Sequence, residues 1–590
     1  MTIDTALEPT ASDAPPPAAV ELPSLVAGLQ ATAARTADAR GIRYYTSPTE
    51  SVYVGYAELD RRARSIAAGF QAAGRHPGDA VVIAVLPGLS WVEVAYGALY
   101  AGLVVVPVAL TGFGTDDSTI DRIAGIAAAS RAVAVVGEDA TAAILDARSD
   151  DLPGVLLVET LAGTPAADWQ DPGLTHESVA ALLFTSGSTG DPKGVIVTHG
   201  VLLGMVDSSV ELFDLSSESV AVAWVPMHHA MGLAIEIVLP SILGCQAVLT
   251  SPEQFQRRPI TWLQLLSEHR GTFTAAGNFA FAVCTKLATD EQIAELDLSS
   301  VEILACGSEP IDPATAAAFL ERFRSTGITE TAFTPVLGMS EMMIVSSKLP
   351  GDTFRSIHVD ADALERGEFA HVDEGEGAVR FISLGVPSAT TTLRIADPET
   401  GERLPDGEVG ELWVSSEYMS PGYFARPDAN AAAFGARLAG DDLEYYRSGD
   451  LGVIEDGELY LTGRIKEVII IRGRKLYPHD LEAYARAAHP AVTIGAAFEL
   501  KDAPSAVGVV VELDAESDAD PESVAAAVRT VVVKRASLPS LAVAVVDAGS
   551  IPRTPTGKVR RRPTLEALER GALAARFSRG FAEAAPVRND

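Results

Sequence analysis

Short apolar runs recur along this chain, each parted from the next by a stretch long enough for a helix, and this alternation limits the possible folds more than any other feature. The runs at 81–85, 104–106, 180–185, 220–225 and 301–306 read as strands, and residues 91–101 and 314–324 have helical spacing. Strands and helices in alternation favour parallel sheets covered by helices on both faces. The apolar stretch 79–110 is broken by Pro87-Gly88 and holds Glu93, so it reads as a buried crossover and not as a bilayer span. Past residue 380 the texture changes. Strands at 379–384, 392–395, 411–414 and 458–461 are separated by turn-rich pieces such as Leu404-Pro405-Asp406-Gly407, which predicts a β-rich subdomain. From Val468 the alternation returns.

A chain of 590 residues exceeds one core. The expected fold is α/β: a large N-terminal domain over 23–462, with two α/β layered subdomains and the β-rich one, then a small mobile α/β lid over 468–577. The polar break at 463–467 is the expected boundary. Residues 1–22, with Pro15-Pro16-Pro17, read as a disordered leader without the basic start and apolar middle of a signal peptide, and 578–590 as a frayed tail.

Charge excludes some partners. Lys+Arg 45 against Asp+Glu 79 leaves −34, which argues against nucleic acid and anionic membranes. Cys245, Cys284 and Cys306 lie far apart, so neither a zinc site nor a disulfide framework is expected, and a reducing cytoplasm fits.

The segment 183–194 carries the clearest chemistry. An apolar strand runs into Thr185, Ser186, Gly187, Ser188, Thr189 and Gly190, with Lys193 closing the loop. Such a loop can aim backbone N–H groups and hydroxyls at phosphate oxygens, with the lysine as a point charge. It is not a Walker A loop, because Gly194 follows the lysine where Ser or Thr would hold magnesium.

This loop resembles the phosphate signature of the adenylate-forming enzymes, the superfamily of acyl-CoA synthetases, nonribosomal adenylation domains and luciferases. Six further motifs follow in that family's order. Residues 226–233, with His229, Met231 and Gly232, resemble its acyl-pocket motif, and Gly307-Ser308-Glu309-Pro310 an adenine-side loop. Leu337-Gly338-Met339-Ser340-Glu341 resembles the motif ending in a magnesium-binding glutamate. Tyr446-Arg447-Ser448-Gly449-Asp450 resembles the ribose motif, Gly463-Arg464-Ile465-Lys466-Glu467 the interdomain hinge, and Pro555-Thr556-Gly557-Lys558 the C-terminal lysine motif.

The resemblance implies ATP and Mg2+ as the reactants that activate a carboxylic acid. Glu341 and Thr185 would hold the metal, Lys193 and its loop the β- and γ-phosphates, and Asp450 the ribose hydroxyls, with Arg464 nearby on the nucleotide side. Lys558 would reach the carboxylate and α-phosphate, and Lys466 would be the pivot of the lid. Phe279 and Cys306 join His229, Met231 and Gly232 as implied walls of the acyl pocket, His229 as a gate and not a base.

Within the superfamily the chain is most similar to the fatty acyl-AMP ligases. The pocket motif carries no acid for an amino group. Residues 251–262, 277–281 and 296–300 resemble that branch, and 349–381 resembles the insertion thought to restrain its lid and disfavour CoA. The implied function is activation of a fatty acid to acyl-AMP with release of pyrophosphate, then transfer to the phosphopantetheine thiol of an acyl carrier protein. A fatty acyl-CoA ligase and a binding protein without turnover remain alternatives. The sequence departs from the pattern at Leu337, where a tyrosine would stack on adenine, at Ala230, and at Cys306. Two basic clusters, one with Arg553, Lys558, Arg560, Arg561 and Arg562 and one with Arg464, Lys466, Arg472, Arg474 and Lys475, suggest a surface that steers an acidic carrier.

Overall fold

The computed structural model describes residues 18–110, 119–146, 152–185, 193–375, 377–471, 474–500, 507–553 and 558–581. Two largely parallel sheets form the base. The first has six strands in the order Val155–Leu157, Ala134–Gly137, Ala80–Ile83, Val104–Pro107, Val179–Thr185, Lys193–Thr198, all parallel until the last antiparallel pair. The crossover predicted between 79 and 110 is present: helix Leu89–Tyr100 joins two strands that pair Val81 with Val105. Among the described residues no helix is long and apolar enough to cross a membrane.

The second sheet has nine strands. Its parallel centre runs through Phe333–Leu337, Ile303–Cys306, Phe273–Ala276, Val220–Ala223, Gln246–Thr250 and Gly41–Tyr45. Side chains alternate between its faces as strand geometry requires. Phe273, Ala275, Ile303 and Ala305 enter the core shared with helix His199–Phe213, whereas Ala276, Leu304 and Cys306 enter the core with Trp224 and Phe281 on the opposite face. Thr198 caps helix His199–Phe213 by accepting from the Val201 amide, and Asp214, in left-handed conformation, ends it.

The β-rich part is an antiparallel sheet of Thr391–Ala396, Gly410–Ser416, Tyr446–Glu455 and Glu458–Arg464. Ahead of it the 349–381 segment forms a hairpin of Ser356–Asp360 with Ala378–Ile382 and a short helix Ala361–Glu365. Its Leu364, Phe369 and Phe381 share a core with Tyr460 of the sheet and Tyr477 beyond it. The C-terminal region packs helices Pro478–Ala488 and Pro521–Arg535 on a mixed sheet of Val492–Glu499, Val507–Leu513, Ala542–Val546 and Ala575–Arg579.

Three boundaries differ from expectation. Residues 18–22 are ordered, because the Asp207 carboxylate accepts from the Ala19 and Val20 amides at 2.7 and 3.0 Å and Ala19 is buried. Residues 578–581 also belong to the fold: Ser578 and Arg579 pair with Ala544 and Val543, and Phe581 packs on Phe498. The polar break is shorter than 463–467, since Gly463 and Arg464 still pair with Leu451 and Asp450 and only Ile465–Glu467 forms the turn. A strand can carry polar residues as far as its partner offers hydrogen bonds.

Candidate functional site

The three regions meet around one cleft, lined by Lys193, Glu341, Asp450, Arg464, Lys466 and Lys558 among others. Thr185 and Lys193 are cross-strand partners, while Ser186, Gly187, Ser188, Thr189 and Gly190 lie outside the described residues. The Lys193 ammonium stands 4.6 Å from the centre of the Tyr423 ring, a cation–π contact. Burial lowers its pKa, and Lys466 and Arg426 add to that.

Glu341 sits in the turn after strand Phe333–Leu337 and is 9% exposed. The phenols of Tyr423 and Tyr446 both donate to its Oε1, at 2.7 and 2.9 Å. Two hydroxyls on one oxygen fix the carboxylate plane. Gly338, Met339 and Ser340 line the cleft beside it, but Leu337 packs into the core of the β-rich subdomain. On the adjacent strand, Gly307 leaves no room for a side chain: a Cβ there would lie 2.7 Å from the Val336 carbonyl oxygen. Ser308 follows in the left-handed region at φ 66°. Glu309 turns inward to accept the Phe279 amide at 2.7 Å, and Pro310 is exposed; neither lines the cleft.

Register explains the Asp450–Arg464 pair. Asp450 and Arg464 are opposite one another on paired strands, and Arg464 Nε donates to Asp450 Oδ1 at 2.6 Å. Burial raises the Asp450 pKa while Arg464 opposes it. The bulge at the start of that strand is held by Glu411, whose Oε2 accepts from Arg447 Nε at 2.9 Å and Trp413 Nε1 at 2.9 Å, and whose Oε1 accepts the Gly449 amide at 3.2 Å.

Lys558 enters from the C-terminal region. Burial lowers its pKa and Arg464 adds to this, whereas Glu309, Asp450 and Glu467 raise it. Its charge is also felt by His229, which burial, Lys558 and His228 together push down to about 3. His229 is therefore neutral at ordinary pH. Its Nδ1 accepts the Met231 amide at 3.2 Å and starts the short helix there. Met231 lines the cleft, and Gly232 packs under residue 226, where a Cβ would meet the Pro226 carbonyl oxygen at 2.2 Å.

Two implied pocket walls are misplaced. Cys306 is wholly buried on the far face of its strand, and Phe279 packs edge-on against Trp224 and Phe255 there. Strand alternation turns Ala305, not Cys306, toward the cleft. The side chains that motif reading missed are Tyr423, Glu411 and Ala305. Only Ala305 had a signal, in the period of two.

The expected basic surface is largely neutralised. Arg553 pairs with Glu512 at 2.5 Å, Arg562 with Glu566 at 3.0 Å, and Arg561 with Glu467 at 2.5 Å and Glu482 at 2.6 Å. Arg474 pairs with Glu365 of the 349–381 segment at 2.5 Å and donates to the Ala536 and Ser537 carbonyls. Arg472 lies outside the described residues.

Residues 29–424 match the family described as AMP-binding enzyme. A medium-chain-fatty-acid–acyl-carrier-protein ligase of Moorena producens is 33% identical over 524 residues, covering 86% of this chain and 88% of its own. A long-chain-fatty-acid–AMP ligase of Mycobacterium marinum is 35% identical, covering 83% of this chain and 87% of its own. A structure from studies of fatty acyl-adenylate ligases of E. coli and L. pneumophila superposes with a TM-score of 0.84 at 27% identity, over 94% of this chain and 98% of the other. A fatty acyl-adenylate ligase of L. pneumophila in complex with acyl adenylate and pyrophosphate gives 0.75 at 27% identity, over 96% and 99%.

Proposed function

The chain belongs to the AMP-binding enzyme family, and on that premise we propose that it activates a fatty acid with ATP and loads the acyl group onto the phosphopantetheine arm of a carrier protein. A carboxylate oxygen attacks the α-phosphorus, the bond to the β-phosphate breaks, and pyrophosphate leaves. The carrier thiol then gives up its proton and attacks the acyl carbonyl, so that the thioester forms and AMP leaves.

The observation that carries this reading is the convergence of Lys558, Glu341 and Asp450, from three separate segments, on one cleft that continues into an apolar groove. Attacking acid and triphosphate are both anionic, so cations at the meeting point lower the barrier. Lys558 would screen the carboxylate and α-phosphate. Lys193 would bind the outer phosphates, and the Asp450 carboxylate, aligned by Arg464, would accept from the ribose hydroxyls. Magnesium, carried on the phosphates of ATP, would offset their charge. Among the described residues no cluster of three or more His, Cys, Asp or Glu could hold a metal, but magnesium keeps waters and phosphate oxygens and needs only one or two carboxylates. Glu341, oriented by Tyr423 and Tyr446, would meet that need; the side chain of Thr185, the other ligand the resemblance implies, lies outside the described residues. The three buried, free cysteines suit a reducing cytoplasm.

The test is pyrophosphate release from ATP over a series of fatty acids, with thioester assayed on CoA and on a phosphopantetheinylated carrier protein. Thioester on the carrier alone is the expected result. Efficient acyl-CoA formation would reject the carrier step, and no pyrophosphate with any acid would reject the adenylation.

A further inference from the structure

Beyond Gly307 and His229 apolar side chains line the cleft as a groove, and its length can be measured along two of its walls. One wall is the nine-stranded sheet, where Ala275 lies opposite Ala305 and Phe273 opposite Ile303. Ala275, Ala305 and Phe273 line the groove. Its floor is thus a pair of methyl groups followed, one pleat further in, by an aromatic ring. The facing wall is helix His199–Phe213, which presents Met205, Ser209 and Phe213 at intervals of four, one face of a helix. The two walls meet at their inner ends. Phe213 and Phe273 are 5% and 2% exposed, with ring centroids 5.7 Å apart.

Neither ring has an easy way to yield. Phe213 is the last residue of its helix, ahead of the left-handed Asp214, and Phe273 begins a strand paired on both sides, with Ala221 and with Ile303. The Ser209 hydroxyl donates its proton to the Met205 carbonyl at 2.8 Å, so it has no donor left for a chain in the groove.

Two rulers agree on the length. From the level of Gly307 to that of Phe273 is four strand residues, about 13 Å. From Met205 to Phe213 is eight helical residues, about 12 Å. An extended alkyl chain advances about 1.3 Å per carbon, given ordinary carbon–carbon bonds. We propose that the Phe213–Phe273 pair is the stop that sets acyl length, and that the substrate is a medium-chain acid of roughly eight to ten carbons, apolar to its end. This rests on the adenylation reading and narrows its substrate class.

The experiment is pyrophosphate release by the full chain with straight-chain acids from butanoate to stearate, for the natural protein, Phe273→Ala and Ala275→Leu. The natural protein should have its highest kcat/KM at octanoate or decanoate. Each methylene that gains a buried place is worth roughly fourfold, so Phe273→Ala should raise the ratio of myristate to decanoate kcat/KM by at least about tenfold. Ala275→Leu fills the floor and should move the optimum to hexanoate or below. If Phe273→Ala does not fold, Ala275→Leu carries the test in the opposite direction. A natural protein that prefers palmitate, or variants that turn over with the natural length profile, overturn the stop alone. Absence of pyrophosphate with every acid overturns the adenylation reading, and the stop with it.

Discussion

Arg561 donates to Glu467 at 2.5 Å while its other edge holds both oxygens of Glu482 at 2.6 and 2.9 Å. Lys558 lies three residues before Arg561, and Glu467 follows Lys466. One guanidinium therefore ties the segment bearing Lys558 to the turn bearing Lys466. The Arg561 and Glu482 side chains are 21% and 6% exposed, so the fork is shielded from solvent.

Removing that fork strands an acid. Arg561→Ala should cost about 3 kcal/mol of stability, because the Glu482 charge stays buried without its partner. Arg561→Lys keeps the charge but cannot span two carboxylates, and should recover less than half. Thermal unfolding reads the loss, and pyrophosphate release should fall with it as Lys558 loses its anchor.

Lys558 should divide the two half-reactions. Lys558→Ala is expected to slow pyrophosphate release by about 10²–10³, in line with loss of one positioned donor. Transfer from preformed acyl-AMP to the carrier thiol should change by no more than a few-fold, since no triphosphate is involved. Equal losses in both steps, measured in single turnover, would contradict this.

Acid should destabilise the N-terminal region through buried histidine. His199 is 1% exposed, accepts the Leu25 amide at 3.2 Å, and has its pKa lowered by burial to about 4. The unfolded chain binds this proton near pH 6.5 and the folded one only near 4. The stability is thus complete above about pH 6.5 and is lost as pH falls toward 4, with a slope near 1.4 kcal/mol per pH unit around pH 5. His199→Gln, which keeps an acceptor, should reduce the slope by that amount in denaturant unfolding at a series of pH values.

The 349–381 segment meets the C-terminal region through Glu365 and Arg474. Glu365→Ala removes both hydrogen bonds to the guanidinium and should loosen the contact. If the insertion restrains the lid, thioester formation with free CoA should rise several-fold while pyrophosphate release stays within about twofold. An unchanged CoA rate would assign the pair a purely structural part.

Several residues that line the cleft were legible in the chain because their types are set by charge and by backbone need. Lys193 after a Gly-Ser-Thr run, Glu341 and Asp450 at the ends of short motifs, and a glycine at 307 and 232 can be read without coordinates. So could the parallel sheets, since buried strands between helices leave continuous apolar runs such as 81–85 and 104–106. Strand alternation was written there too, in principle, yet motif proximity pointed to Cys306 when the residue before it, Ala305, faces the cleft.

What needed the tertiary structure is everything decided between distant segments. Tyr423 and Tyr446 meet on Glu341 across 82 and 105 residues of chain, and Phe213 meets Phe273 across two different elements. The basic run around Lys558 looks like free surface charge until folding brings Glu467, Glu482 and Glu512 against it. Local sequence determines which groups a segment carries and which way alternate side chains point. Only packing, which spends chain entropy to bring remote groups within a few ångströms, decides which charges are cancelled and where the apolar groove stops.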